Sequence, residues 1–140
     1  LTPLSDALLR NVDVLIGNEL EILGDDDVSV YDAVEAAAQF SSRPQSIVVT
    51  LGKRGAVCVS GSDRFWVQAA PIEVVDTVGA GDGFVGAFVA GLSAAMDLRS
   101  CAIQAVSFGS AMCTVAGAEV KPAEATINRI AQSTILSDLT

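Results

Sequence analysis

Residues 76–86 constrain this chain more than any other segment. They read Asp76-Thr77-Val78-Gly79-Ala80-Gly81-Asp82-Gly83-Phe84-Val85-Gly86. Glu73-Val74-Val75 leads in with an extended pattern, and apolar residues at helical spacing follow. The backbone must therefore end a strand-like piece, turn and begin a helix here. Gly79, Ala80, Gly81 and Gly83 carry almost no side chain, so a ligand can approach the backbone closely. The first N–H groups of a helix have no acceptor within it, and the helix dipole adds roughly half a positive charge. Such a turn suits a phosphate, or negative charge that develops during a reaction. A carboxylate inside it would repel a bound phosphate. Asp82 is explained if it faces a substrate hydroxyl and accepts its proton. The competing reading is a tight turn in which Asp82 merely caps the helix. Gly81, Gly83 and Gly86 also satisfy G-x-G-x-x-G. A dinucleotide site, however, needs a following strand and an acidic residue ~20 positions on, and an Ala-rich helical segment follows instead. The P-loop pattern is absent too, because Gly52-Lys53 lacks both the earlier glycine and the following Ser or Thr.

Composition narrows the chemistry further. The 140 residues contain no His, which excludes Ser-His-Asp and Cys-His catalysis and His-ligated metals within this chain. A net charge of -9 without a basic cluster argues against nucleic acid as a partner. Backbone N–H groups can still hold a small anion. No run approaches the ~20 apolar residues of a membrane span, so no membrane partner is expected. With 51% apolar residues, the chain suits one compact domain with its own core. Cys58, Cys101 and Cys113 lie far apart in apolar surroundings. They read as buried thiols of a reducing cytoplasm rather than as a disulfide framework or a zinc site. No signal-peptide pattern is present. The chain opens on Leu1-Thr2-Pro3, without an initiator Met and already inside a helix-start signal, and is expected to be a piece of a longer protein.

Along the chain, Thr2-Pro3 predicts an N-cap and first residue of a helix through about Arg10. Asp13 to Gly17 predicts a short buried strand, with a short helix beginning at Asn18-Glu19-Leu20-Glu21. Asp25 to Asp27 is a polar loop. Ser29, with Asp32 three residues on, predicts the cap of a helix through Phe40, with Tyr31, Val34, Ala37 and Ala38 on one face. Ser41 to Gln45, including Pro44, is a breaker. Residues 46–50, Ser-Ile-Val-Val-Thr, give the clearest strand, and their continuous apolar character predicts a central parallel position. Gly52-Lys53-Arg54-Gly55 then turns the chain into a strand over 56–60. A turn at 61–63 leads to a third strand over 64–68, completing a small meander. Residues 73–76 form a further extended piece. Helices are predicted over 81–95, 98–116 and 122–132. Val85, Phe88, Val89 and Leu92 give the first its apolar stripe. Ala102, Ala105, Val106 and Cys113 do the same for the second. The order predicts an α/β layer fold with a local antiparallel patch.

Residues 76–82 resemble the D-T-x-G-A-G-D signature of the ribokinase-like sugar and nucleoside kinases, the PfkB family, at all seven positions. Asn18-Glu19-Leu20-Glu21 is similar to that family's N-x-x-E motif. Thr50-Leu51-Gly52-Lys53-Arg54-Gly55 is similar to its T-L-G-x-x-G nucleotide loop. The motifs fall in family order, and their spacing onward to Gly117-Ala118 also fits. The resemblance covers nearly the whole chain but only the C-terminal half of a family member. It implies a three-layer α/β/α ribokinase-like fold, mostly parallel, with the small antiparallel meander. It makes residues 1–140 the ATP-binding half, without the N-terminal sugar-binding half.

The resemblance also assigns roles. Asp82 would be the base, and Gly79, Ala80 and Gly81 the anion hole for the transferring phosphoryl group. Thr50, Leu51, Gly52, Lys53, Arg54, Gly55 and Val106 would line the ATP site, together with Gly81 and Asp82. Asn18 would contact the nucleotide, and Glu21 would help position magnesium. A monovalent cation such as potassium would be ligated by the Asp76 side chain and by the backbone of Val78, Met112, Val115 and Gly117. The last matching position of that site is Lys121, which departs from the small hydroxyl residue of ribokinases; its ammonium would either substitute for the cation or point into solvent, which leaves potassium dependence open. Bland readings stay open as well. Asn18 can stabilise a turn, Glu21 can be a solvated residue of a helix's first turn, and Lys53-Arg54 can be an exposed hairpin tip. The expected activity is ATP-dependent phosphorylation of a sugar hydroxyl, with this piece alone inactive and a homodimer formed through the N-terminal part. Fructokinase, ketodeoxygluconate kinase and nucleoside kinase are alternatives within the family. A nucleotide-binding module without turnover is the alternative outside it.

Overall fold

The computed structural model describes residues 4–40 and 44–139. The chain divides into two compact units, Leu1–Trp66 with Ser137–Thr140, and Val67–Leu136. In chain order the elements are α1 (Asp6–Leu9), β1 (Val14–Asn18), α2 (Glu19–Leu23), α3 (Val30–Phe40), β2 (Ser46–Thr50), β3 (Ala56–Ser60), β4 (Asp63–Gln68), α4 (Ala80–Ser93), α5 (Leu98–Met112), α6 (Glu124–Ser133) and β5 (Ile135–Asp138). The strands form one sheet in the order β1-β2-β3-β4-β5.

The first unit is organised by β2. Ile47, Val48 and Val49 are fully buried, as a strand covered on both faces requires. The expected parallel neighbour is β1, in the register Ile16 opposite Val48. The other neighbour is β3, which runs antiparallel and places Cys58 opposite Val48. Gly52–Arg54 forms one 3₁₀ turn between β2 and β3. It closes where the Leu51 N–H donates to the Gly55 carbonyl at 2.8 Å. Residues Ala33, Val34 and Ala37 of α3 cover Ile47, Val49, Val57 and Val59 on one sheet face. Tyr31 does not join them. It is 71% exposed, and Ala33 takes the place expected for it. With Val34 fixed inward, a residue three positions earlier lies at the edge of the apolar face, and the small Ala33 can sit closer to the sheet.

Ser29 caps α3 as predicted, its Oγ accepting from the Asp32 N–H at 3.1 Å and donating to the Asp32 carboxylate at 2.7 Å. The first helix begins later than predicted. Ser5 is its N-cap, while the Thr2-Pro3 signal and most of the 41–45 breaker lie outside the described residues. Pro44 is fully buried.

The second unit packs three helices. Gly83 and Gly91 of α4, and Gly109 of α5, sit where a side chain would not fit. An added Cβ would lie 2.8 Å from Met112 Cγ, 2.9 Å from Cys101 Sγ and 3.1 Å from the Ala80 carbonyl oxygen respectively. This close approach decides which face of α4 is buried. Phe84, Phe88 and Gly91 turn inward, whereas Val85, Val89 and Leu92 are 42%, 50% and 40% exposed. Of the predicted stripe only Phe88 is buried, because α4 is apolar on both sides and glycine spacing, not hydrophobicity, selects the face. The stripe of α5 is as predicted at Ala102, Ala105 and Val106, but Cys113, its fourth expected member, is the half-buried C-cap beyond the end of the helix; Gln104 Nε2 ties the two helices by donating to the Ala87 carbonyl at 2.7 Å.

Three further differences arise where distant segments meet or the backbone turns. Residues 73–76 form no strand. The Val75 and Asp76 N–H groups both donate to the Cys113 carbonyl, at 2.8 and 3.3 Å. Helix α5 stops at Met112 rather than at 116, because the chain turns there and reaches φ +83° at Gly117. Strand β5 was not predicted. Four residues give too short a pattern to read, and the Leu139 N–H continues this edge onto the Arg64 carbonyl at 2.8 Å.

Asp97 caps α5, with Oδ1 accepting from the Ser100 N–H at 3.0 Å and Oδ2 from the Ser100 hydroxyl at 2.7 Å. The Ser100 N–H and then its hydroxyl hold the Asp97 carboxyl below its ordinary range. A depressed folded-state pKa stabilises the fold above the unfolded-state value, and this is lost as pH falls through the folded-state value. The Tm should therefore drop on acidification below pH ~4. Asp97→Asn, which keeps one accepting oxygen but neither the charge nor the second acceptor, should lower the neutral-pH Tm slightly and make that acid drop shallower. An equally steep acid limb in a thermal-melt series would exclude the role.

Candidate functional site

The first unit holds two of the three motifs. Asn18 ends β1 and caps α2, its Oδ1 accepting from the Glu21 N–H at 2.8 Å. Glu21 Oε2 reaches back to the Asn18 N–H at 2.9 Å. The N-x-x-E motif is thus also a capping box. This leaves Asn18 Nδ2 and Glu21 Oε1 open at an exposed helix start. Gly17 makes the box fit, since a Cβ there would stand 2.9 Å from Ile22 Cγ1 and 3.2 Å from Glu21 Oε2. The Gly immediately before N-x-x-E was the available sequence signal for this.

In the second motif, Gly55 adopts φ +93° and ψ −132°, a conformation essentially reserved for glycine. The turn exposes Gly52 and Lys53. Arg54 is committed within the unit. Its Nη2 pairs with Glu19 Oε2 at 2.7 Å and its Nη1 donates to the Val28 carbonyl at 2.6 Å. The Arg54 carbonyl accepts from Trp66 Nε1 at 2.8 Å. Arg54 is therefore neither a free cation nor a loose hairpin tip; it ties the turn to α2 and to the loop before α3. Thr50 Oγ1 makes a long contact of 3.4 Å to the Gly17 carbonyl. Leu51, 2% exposed, belongs to the core and presents no side-chain surface to a ligand.

The second unit holds the third motif. The Asp76 carboxylate accepts from the Val78 N–H at 3.0 Å and from the Gly117 N–H at 2.9 Å. These N–H groups, Val78 first and Gly117 next, hold its pKa below the ordinary aspartate range. The turn this builds places Gly79 at φ +80° as the N-cap of α4, with no side-chain cap. A Cβ on Gly79 would lie 2.8 Å from the Ala118 Cβ. The Ala80 N–H makes a long bond of 3.3 Å to the Thr77 carbonyl. The Gly81 and Asp82 N–H groups meet no acceptor among the described residues. Gly81 has nothing within 4 Å of the place a Cβ would take. Asp82 is exposed and caps nothing. Its position in the first turn of an uncapped helix is therefore not explained by capping.

Of the other predicted residues, Met112 ends α5 and its carbonyl accepts from the Val115 N–H at 3.3 Å. Val115 and Gly117 lie in the loop that Asp76 draws in. Val106, 3% exposed, is core. Asp76, Val78 and Gly117 are brought together by hydrogen bonds, and Lys121 is not joined to them by any. Among the described residues no three His, Cys, Asp or Glu converge as a metal cage. The cysteines are free. No described helix is long and apolar enough to cross a membrane.

A family model for the pfkB family carbohydrate kinases matches residues 2–125, and the chain belongs to that family. The deoxyribokinase of Salmonella typhi is 34% identical over 103 residues, covering 72% of this chain and 34% of that protein. The structure of Arabidopsis thaliana ribokinase complexed with ribose and ATP matches with a TM-score of 0.82 at 26% identity, covering 94% of this chain and 44% of that one. Escherichia coli phosphofructokinase-2 in complex with potassium matches with a TM-score of 0.80 at 25% identity, covering 91% and 42%. The fold is the ribokinase-like α/β/α fold. The chain spans about a quarter to a third of the length of the curated relatives it matches.

The glycines of the turn separate by experiment. Gly79→Ala meets both a left-handed φ and a 2.8 Å contact, and should cost about 1–3 kcal/mol of stability. Gly81→Ala, helical and in open space, should leave the Tm almost unchanged while weakening binding of anions at the α4 start. Melting curves with equal losses for both variants would contradict this assignment.

Proposed function

We propose that this chain is the ATP-handling part of a carbohydrate kinase, which transfers the γ-phosphoryl group of ATP to a sugar hydroxyl. The observation that carries the reading is the start of α4. It combines free Gly81 and Asp82 N–H groups, open space at Gly81 and an exposed, uncommitted Asp82 carboxylate. In the reaction a bond forms between the acceptor oxygen and the γ-phosphorus while the bond to the bridging oxygen of ADP breaks. Asp82 takes the hydroxyl proton, and the N–H groups of the Gly79–Ala80–Gly81 turn stabilise the equatorial oxygens. The 50–55 turn and the open polar atoms of Asn18 and Glu21 are the nucleotide-facing groups of the first unit.

The described residues fit the expected ions in different ways. Among the described residues no three carboxylates converge as a cage for a divalent ion; magnesium would be held mainly by phosphate oxygens, with Glu21 in support. It would neutralise phosphate charge. The Asp76 carboxylate, kept ionised by backbone donors, fits a monovalent cation together with carbonyls of Val78, Met112, Val115 and Gly117. That ion would hold the 113–117 loop against the turn. The acceptor sugar would be held, and a homodimer formed, through an N-terminal part of the protein, in the cytoplasm.

Asp82→Asn in the intact protein should lower kcat by about 10²–10⁴-fold while nucleotide binding survives. A variant keeping half the wild-type rate would sink the assignment. A panel of ribose, deoxyribose, fructose, ketodeoxygluconate and nucleosides with ATP should yield one phosphorylated product. Nucleotide binding with no turnover on any acceptor would favour the non-catalytic module instead.

A further inference from the structure

Beside the start of α4 lies a cavity of about 330 Å³ whose walls include Gly79, Asp82, Glu119 and Lys121, with Phe108 and Met112 below. Lys121 is exposed and makes no hydrogen bond or ion pair with any described residue. It does not pair with Asp76, whose two carboxylate oxygens already accept the Val78 and Gly117 N–H groups. Its backbone is anchored, because Pro122, the next residue, is fully buried. The stem and ammonium are thus the adjustable part of a fixed position.

The charge inventory of this cavity gives Lys121 a task. Asp82 and Glu119 contribute two carboxylates, and Lys121 is the only cationic residue in the lining. A phosphoryl group entering here would meet net negative charge, which the partial charge of a helix start offsets only in part. An ammonium is a compact charge with three donors on a flexible stem, suited to following a moving phosphoryl group. Phe108 and Met112 give the cavity an apolar part of its wall, beside which a charge contact is strengthened.

We infer that Lys121 is a further catalytic residue of this site, its ammonium contacting the oxygens of the transferring phosphoryl group beside Asp82. The inference rests on the kinase reading above. Lys121 gains and loses no proton in the step. The hydroxyl proton goes to Asp82, the phosphorus–oxygen bond to ADP breaks as the bond to the acceptor forms, and Lys121 supplies charge alone.

The test uses the intact protein and its Lys121→Met and Lys121→Arg variants. Equilibrium binding is measured for ADP alone and for ADP with magnesium and aluminium fluoride, a mimic of the transferring phosphoryl group. Lys121→Met should weaken the aluminium fluoride complex by about 10- to 100-fold and leave ADP affinity within about twofold, with Lys121→Arg recovering most of the loss. For any acceptor that turns over, kcat should fall and the KM for ATP should hold. Parallel loss of both affinities, or loss of neither, would overturn the inference. Asp82→Asn run alongside separates the two ideas. A fully active Asp82→Asn removes the kinase assignment of Asp82, whereas an inactive Asp82→Asn with an unaffected Lys121→Met removes only the role of Lys121.

Discussion

The Asp76 carboxylate is the interaction on which the second unit depends. It binds forward to the Val78 N–H and across 41 residues to the Gly117 N–H. The first bond shapes the turn that puts Gly79 in the left-handed region at the head of α4. The second draws the 113–117 loop to that turn. The Cys113 carbonyl adds two bonds from the Val75 and Asp76 N–H groups, so the approach to the turn is pinned on both sides without belonging to a sheet. Because the carboxylate is ionised, these are charge-assisted bonds, stronger than neutral ones. The α4 start can therefore keep its own N–H groups uncommitted, since the backbone before it is held from elsewhere.

The same economy of backbone governs the packing behind the turn. Gly83, Gly91 and Gly109 let α4 and α5 approach until a methyl group would collide. Glycine in a helix is unfavourable by roughly 0.5–1 kcal/mol relative to alanine, so the closeness has to be recovered in packing, and Phe84 and Phe88 supply it with rings 6.2 Å apart. One consequence reaches the site. With the phenylalanines turned inward, Asp82 rides on the opposite, open side of α4, in line with Val85 and Val89. In the first unit the N-x-x-E motif likewise closes a helix start while leaving polar atoms open. Asn18 and Glu21 cap α2 with one polar atom each and keep another free, and Gly17 provides the room.

Much of this could be read from the residues. The strand over 46–50 and the strand after the 52–55 turn were set by β-branched runs between breakers, patterns that need no knowledge of neighbours. The Ser29 cap is local as well, because a cap is decided within four residues. The site motifs were legible for the same reason, each being a short stretch whose backbone geometry depends on glycines inside it or, for Asn18–Glu21, on Gly17 immediately before it. What could not be read was any choice between two chemically similar faces. Helix α4 offers Val85, Val89 and Leu92 on one side and Phe84 and Phe88 on the other, and hydropathy does not rank them. Tyr31 against Ala33 in α3 is the same problem at smaller scale.

The sequence by itself determined the local backbone and the identity of the candidate site residues. It specified where chain direction changes, which turns tolerate only glycine, and that a carboxylate stands in an anion-seeking turn. Tertiary structure alone decided commitments. It engaged Arg54 with Glu19 and the Val28 carbonyl, placed Leu51 and Val106 in the core, and left Asp82 and Lys121 unpaired around one cavity. The physical reason is that propensity and capping act over a few residues. A side chain's freedom depends instead on atoms that distant segments bring within hydrogen-bonding distance, as Gly117 is brought to Asp76.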